Sequence, residues 1–195
     1  MRNFRWKKLL LLALLLQSLS GCALLVATGV VTGVGAGVAV SQDRRTSGMF
    51  VEDEAVELKS GRLISEKFGR GAHVNVTSFN RHVLLTGEAP SETARKEIEA
   101  IVRGVEHVRG VTNEISVSEA SSFASRSNDA LITSKVKARF MDGGMFRVNH
   151  VKVVTEDSVV YLLGLVKAEE AESAVDIAKA TGGVRKVVKV FEYVN

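Results

Sequence analysis

The chain has 195 residues, 46% of them hydrophobic, with 26 lysines and arginines against 22 aspartates and glutamates. The surplus sits in Arg2, Arg5, Lys7 and Lys8; without them the two signs balance at 22 each. Binding to phosphate backbones needs a cationic excess on one face, so nucleic acid is not an expected partner. The single cysteine excludes an intramolecular disulfide.

The four basic residues precede an apolar run, residues 9–16, and the stretch Leu19-Ser20-Gly21-Cys22. A basic n-region, a short apolar h-region and a small-residue cleavage site predict a secretory signal over residues 1–21. The run is too short to span a bilayer. Leu-Ser-Gly-Cys in this position resembles the lipobox of bacterial lipoproteins, which implies that Cys22 is diacylated and becomes the first mature residue. Each buried CH₂ contributes about 0.8 kcal/mol, so two or three acyl chains anchor stably where one is marginal. No cofactor beyond that lipid is expected. In such lipoproteins an aspartate after the cysteine favours inner-membrane retention. Ala23 stands there instead, and the resemblance implies the outer membrane, facing the periplasm.

Residues 22–49 are expected to hold the lipidated cysteine, an apolar membrane-proximal stretch and a linker. Within residues 24–40, Gly29, Gly33 and Gly37 recur every four positions. A transmembrane helix with a small-residue packing face is one reading. A segment lying on the bilayer is preferred behind a lipidated cysteine, because each glycine costs a helix about 1 kcal/mol relative to alanine. Residues 41–49 turn polar and read as linker.

Beyond residue 50 the chain repeats itself. His73-Val-Asn-Val-Thr aligns with His150-Val-Lys-Val-Val, and Val83-Leu-Leu-Thr-Gly87 with Val160-Tyr-Leu-Leu-Gly164, at a constant offset. Helical stretches 90–103 and 167–180 correspond, as do the closing strands 111–117 and 187–194. Two copies of one supersecondary unit outweigh any single motif. The first is expected over 50–118, a linker over 119–126, and the second over 127–195.

Each unit reads helix, strand, strand, helix, strand. In the second, Asn128 or Asp129 is expected to cap a helix whose Ile132, Val136 and Phe140 recur every four residues. Glu156-Asp157-Ser158 marks a hairpin turn between alternating strands. Glu169, Glu170 and Glu172 favour the start of the next helix. In the first unit, Pro90 lies near a helix start with Ala94, Ile98 and Ile101 inward; the opening helix, 56–64, is expected to break at Gly61. A crossover helix makes the second and third strands parallel, and the hairpin makes the first two antiparallel. The fold class is therefore α+β: two αββαβ units, each a three-stranded mixed sheet packed by two helices. Units of this size are marginal alone and are expected to pack together.

Asp129-x-x-Ile-x-x-x-Val136, Val160-Tyr-Leu-x-Gly164 and Gly183-Val-x-x-Val187 resemble the BON domain. The first copy matches through Val83-Leu-Leu-Thr-Gly87 and Val108-x-x-Val111-x-Asn113, but lacks the clean Ile-x-x-x-Val opening. Two such units behind a lipobox resemble the dual-BON outer-membrane lipoproteins, the division- and outer-membrane-stress-associated lipid-binding group. That resemblance implies binding of anionic phospholipid, support of outer-membrane integrity, and contact through the second unit's opening helix. The expected contact residues are Asn128, Leu131, Ser134, Lys135, Ala138 and Arg139.

The residues themselves leave two readings of Leu131. Exposed beside Lys135, it inserts between anionic headgroups while the ammonium reaches phosphate; otherwise it packs on the first unit and the lysines solvate the helix. His73 and His150 occupy equivalent positions, so a repeated structural role is simpler than catalysis. No metal-ligand spacing, nucleophile elbow or phosphate loop stands out, and neither an enzyme nor a metal site is expected. A periplasmic adaptor that docks other envelope proteins is the alternative function, and peptidoglycan binding a third that no residue singles out.

Overall fold

The computed structural model describes residues 43–143 and 146–195. The leader, Cys22 and the apolar stretch 24–40, with the expectations attached to them, lie outside the described residues. Among the described residues no helix is long and apolar enough to cross a membrane.

The first unit opens with helix α1 (Ser47–Phe68), capped by Thr46, whose Oγ1 accepts the Met49 N–H at 3.2 Å. The break expected at Gly61 does not occur, and residues 56–64 are the middle of a 22-residue helix. Strands β1 (His73–Phe79) and β2 (His82–Ala89), helix α2 (Glu92–Arg103), and strands β3 (Gly110–Asn113) and β4 (Ser116–Val117) follow. The second unit repeats the order with α3 (Phe123–Gly143), β5 (Val151–Glu156), β6 (Val159–Val166), α4 (Ala168–Lys179) and β7 (Lys186–Tyr193). The αββαβ order and α+β class hold in both.

Helix starts differ from expectation. Helix α3 begins at Phe123, within the segment read as linker; Ser122 Oγ accepts the Ser125 N–H at 3.1 Å. Asp129 is no cap but lies well inside the helix. In α2 the cap is Ser91, directly after Pro90 and as near a helix start as expected, and the buried residues are Ala94, Ile98 and Val102, with Ile101 half-buried on the flank.

Both sheets pair their first two strands antiparallel and their second and third parallel. The first sheet's closing strand is split, where a continuous one was expected. Asn113 explains the split: its Oδ1 accepts the Ile115 N–H at 3.2 Å, and its Nδ2 donates to Glu99 Oε2 at 3.0 Å. The ladder is interrupted there, and β4 resumes on β2 in the same register. Gly87 and Gly164 lie within β2 and β6. A Cβ at Gly87 would stand 2.1 Å from the His73 carbonyl oxygen, and at Gly164 2.3 Å from that of His150. Close approach of the neighbouring strand requires glycine at both.

Each hairpin turns through two residues with positive φ: Asn80 and Arg81 at 52° and 64°, Asp157 and Ser158 at 46° and 60°. Such turns match the strand twist but strain side chains other than glycine. A carboxylate on the opening helix holds each one. Asp129 accepts the Asp157 N–H at 3.0 Å and the Ser158 N–H at 2.8 Å on its two oxygens. Asp53 accepts the Asn80 and Arg81 N–H groups at 2.8 and 2.7 Å, and the Ser78 hydroxyl at 2.6 Å.

The helices of each unit cover one face of its sheet, over cores that include Ile98 and Leu85 in the first unit and Ile132 and Leu162 in the second. The other two faces meet. Phe79 and Leu84 of the first sheet share a cluster with Val159, Tyr161 and Leu163 of the second. The central strands β2 and β6 are thus buried on both sides, as their unbroken apolar runs require. Polar pairs cross the junction: Asn75 Nδ2 donates to Glu156 at 2.8 Å, Asn80 Nδ2 to Glu192 at 2.9 Å, and Lys152 Nζ to Glu57 at 2.8 Å.

The stretch read as free linker is fastened at its end. The Arg45 guanidinium lies 4.0 Å from the centre of the Phe79 ring and pairs with Asp43 at 2.7 Å and Asp53 at 2.8 Å. Arg44 reaches the second unit, pairing with Glu170 at 2.6 Å and donating to the Leu165 carbonyl at 2.8 Å.

Removing the clasp in Asp129→Ala leaves two turn N–H groups without their acceptor, and is expected to cost about 2–3 kcal/mol. A lowered urea midpoint with unchanged slope checks this; an unchanged midpoint contradicts it. Burial pushes the Glu156 carboxyl above the usual carboxylate range, with Glu88 and Asp129 adding to the effect. Its neutral form therefore favours the folded state, so this contribution falls as pH rises from the ordinary glutamate value through the raised one. In Glu156→Gln that pH-dependent loss disappears, which thermal melts across pH 4–8 will measure.

Candidate functional site on the outward face of α3

Helix α3 is set on its sheet by the Asp129 clasp and by Ile132, Val136 and Phe140, which are at most 1% exposed. Successive residues turn by about 100°, so those inward positions direct Leu131 to the opposite side. Leu131 is 60% exposed. The reading in which it packs on the first unit is thereby overturned.

Around it the helix brings together most of the expected contact residues. Lys135 stands one turn on, Ala138 two turns on, and both are exposed. Ser134 lies on the same side and donates back to the Ala130 carbonyl at 2.9 Å. Asn128 is exposed at the rim, with its Nδ2 3.5 Å from Ser158 Oγ. Arg139 behaves differently. Its guanidinium folds back onto the end of α4, donating to the Ala180 carbonyl and, at 3.4 Å, to Thr181 Oγ1. It neutralises the negative end of α4 and is not available to the outward face.

Two residues were missed. Phe123, 79% exposed, and Met141, 73% exposed, lie on one flank of the same face. They are five turns apart, about 27 Å along the axis. Both fall outside a helix read as starting at Asn128 and ending at Phe140; extending its 3.6-residue period outward would have found them.

The charges favour anions on this face. Lys135 and Lys137 form no ion pair among the described residues, while Asp129, the carboxylate nearest Lys135 in sequence, is spent on the hairpin. Helix α1 is the counterpart in the first unit, with Val51 66% and Leu58 72% exposed. Its neighbours are Glu52, Glu54 and Glu57, where α3 carries Asn128, Ala130 and Thr133. Its Arg62 is paired with Glu66 at 2.7 Å.

Two duplicated αββαβ units, joined through their open sheet faces, define a tandem-repeat α+β protein. The BON domain matches residues 56–119 and again 128–195, and the chain belongs to the BON-domain family. The outer membrane lipoprotein DolP of Haemophilus influenzae is 36% identical over 97% of both chains. The osmotically-inducible protein Y of Escherichia coli is 30% identical over 91% of each. A 21 kDa hemolysin of Actinobacillus pleuropneumoniae is 32% identical over 78% of this chain and 80% of its own. Likeness along nearly the full length to an outer-membrane lipoprotein gives this chain the same address, the outer membrane. None of the three carries an enzyme's name.

If Arg139 serves α4, Arg139→Ala should lower stability by about 1 kcal/mol, seen as a reduced denaturation midpoint. No change would return Arg139 to the outward face.

Proposed function

We propose that the chain is a non-catalytic lipoprotein that binds anionic phospholipid through the outward face of α3 and supports outer-membrane integrity. In this reading it is tethered by acyl chains on Cys22 and faces the periplasm. The observation that carries it is Leu131, 60% exposed and directed away from its own core beside the unpaired Lys135.

Magnitudes fit a weak, tethered reader of lipid. Burying one leucine side chain contributes about 1.5–3 kcal/mol, and each lysine near an anionic surface about 1 kcal/mol. Alone that gives shallow, reversible association. With the anchor holding the protein at the bilayer, effective concentration makes it sufficient. A second reading, docking of another envelope protein, draws support from α1, where Val51 and Leu58 are exposed.

Vesicle flotation with a chain beginning at Ser41 separates recognition from acyl tethering. We expect retention by phosphatidylglycerol vesicles, little by phosphatidylcholine, and at least a tenfold loss in Leu131→Glu. Equal retention by both vesicles, or an unaffected variant, overturns the lipid reading. A crosslinked protein partner lost in Leu58→Glu, with no flotation, establishes the second.

A further inference from the structure

Helix α1 carries a seam on the side away from its core. Gly48, Val51, Ala55, Leu58, Arg62 and Ser65 follow one another at alternating spacings of three and four, the heptad pattern by which one helix packs along another. All six are exposed, Val51 at 66% and Leu58 at 72%, while Asp53 and Ser60 on the far side of the helix are buried. We propose that this seam pairs antiparallel with α1 of a second copy of this chain.

The charges beside the seam choose both the occupant and its direction. Glu52 and Glu54 flank Val51 in the first half, and Lys59 and Arg62 follow Leu58 in the second. A parallel pairing sets acid on acid and base on base. An antiparallel pairing centred between Ala55 and Leu58 sets the acidic half of each copy on the basic half of the other, and two-fold symmetry makes every such contact twice. In that register Ala55 meets Leu58 of the second copy and Val51 meets the aliphatic stem of Arg62. Glu52 then stands by Lys59, and Glu54 by the Arg62 guanidinium. Glu54 and Lys59 have no ion pair or side-chain hydrogen bond among the described residues. Arg62 holds Glu66 and has N–H donors to spare.

Gly61 is an independent sign that something comes close. Glycine inside a helix is unfavourable relative to alanine, and a Cβ here would meet nothing within 4 Å in the protein's own body. Packing within the chain therefore gives no reason for it. On the flank of the seam beside Arg62, it leaves the space through which Glu54 of a second copy reaches the guanidinium. The duplicate helix α3 does not keep the pattern: it has Lys137 in place of Gly61, and Ser127 and Ser134 in place of Val51 and Leu58.

A single pair of helices about 33 Å long falls short of the roughly 1,200 Å² that a stable complex buries, so the association is reversible and favoured where copies are crowded on one membrane. The seam and the outward face of α3 lie in opposite outer layers. The inference does not rest on lipid binding, and it competes with docking of a different protein on α1.

The first test makes Gly48→Cys and Ser65→Cys forms of the full chain together in the outer membrane, oxidises them mildly and maps the products by mass spectrometry. We expect a mixed disulfide between the two forms. Disulfides between like positions are not expected, because these stand about 25 Å apart along the pair and a disulfide bridges Cα atoms no more than about 7 Å apart. Sedimentation of the full chain in non-ionic detergent then measures affinity. Glu54→Lys and Arg62→Glu should each weaken self-association about threefold to tenfold, and the double variant should restore it, a reversal that damage to the fold does not produce. Disulfides between like positions alone, a chain that stays monomeric at every concentration, or a double variant no tighter than the singles overturns the pairing. A mixed disulfide of either form with a different protein, and none between copies, overturns it in favour of the adaptor reading.

Discussion

A carboxylate two turns inside a helix, accepting both N–H groups of a strained hairpin, is the constraint on which this structure depends. The turns at Asn80–Arg81 and Asp157–Ser158 place side-chain-bearing residues at positive φ, where glycine is ordinarily favoured. Asp53 and Asp129 offset that strain with charge-assisted hydrogen bonds at 2.7–3.0 Å. The same bonds fix the rotation of each opening helix over its sheet. Once Asp129 points inward, Ile132, Val136 and Phe140 follow it at helical spacing, and Leu131 has only the solvent side left. The candidate lipid face is thus set by a bond that touches no lipid.

Duplication extends that logic to the whole body. Each sheet has one face under helices, and the other is too apolar to stay in water: Leu84, Tyr161 and Leu163 lie at most 5% exposed because the sheets cover one another. Such a junction tolerates polar groups at its margins, where Asn75, Asn80 and Lys152 meet carboxylates of the other unit. Arg44 and Arg45 then fasten the incoming chain to both units. Arg44 holds the Glu170 carboxyl below the usual carboxylate range through a bidentate hydrogen-bonded pair. The chain just before α1 is therefore held to both units.

Much of this was legible in the sequence, for physical reasons that differ by element. Strand alternation and the constant offset between copies reported sheet order and register, because a pleated strand has a strict two-residue period. The strands around Glu156-Asp157-Ser158 were read as alternating, so the two-sided burial of β2 and β6 went unread; packing of the two units was expected from their size and not from these runs. Helix starts were misread because Asp-x-x-Ile has the same local spelling as an N-cap, and only the fold shows that the aspartate reaches sideways to a turn 28 residues on. Arg139 was misjudged for a similar reason. Its position predicts a cationic outward face, while its partner lies 41 residues away at the end of α4. Contacts of that range leave no periodic trace.

The two copies share a scaffold and diverge where it is free to vary. Positions held by the clasp and core keep their character: Asp53 with Asp129, Val56 with Ile132, Ile64 with Phe140. Ser60 is an exception, a buried hydroxyl without a partner where the second copy has Val136. On the outward side the copies part: α1 carries Glu52, Glu54 and Glu57, the first paired with Arg81 and the last with Lys152, where α3 has asparagine, alanine and threonine. Lys59 stands on α1 where Lys135 stands on α3, so the two helices share that cationic position. Duplication thus keeps the scaffold and leaves the outward apolar position, Ala55 on α1 against Leu131 on α3, to distinguish the two opening helices.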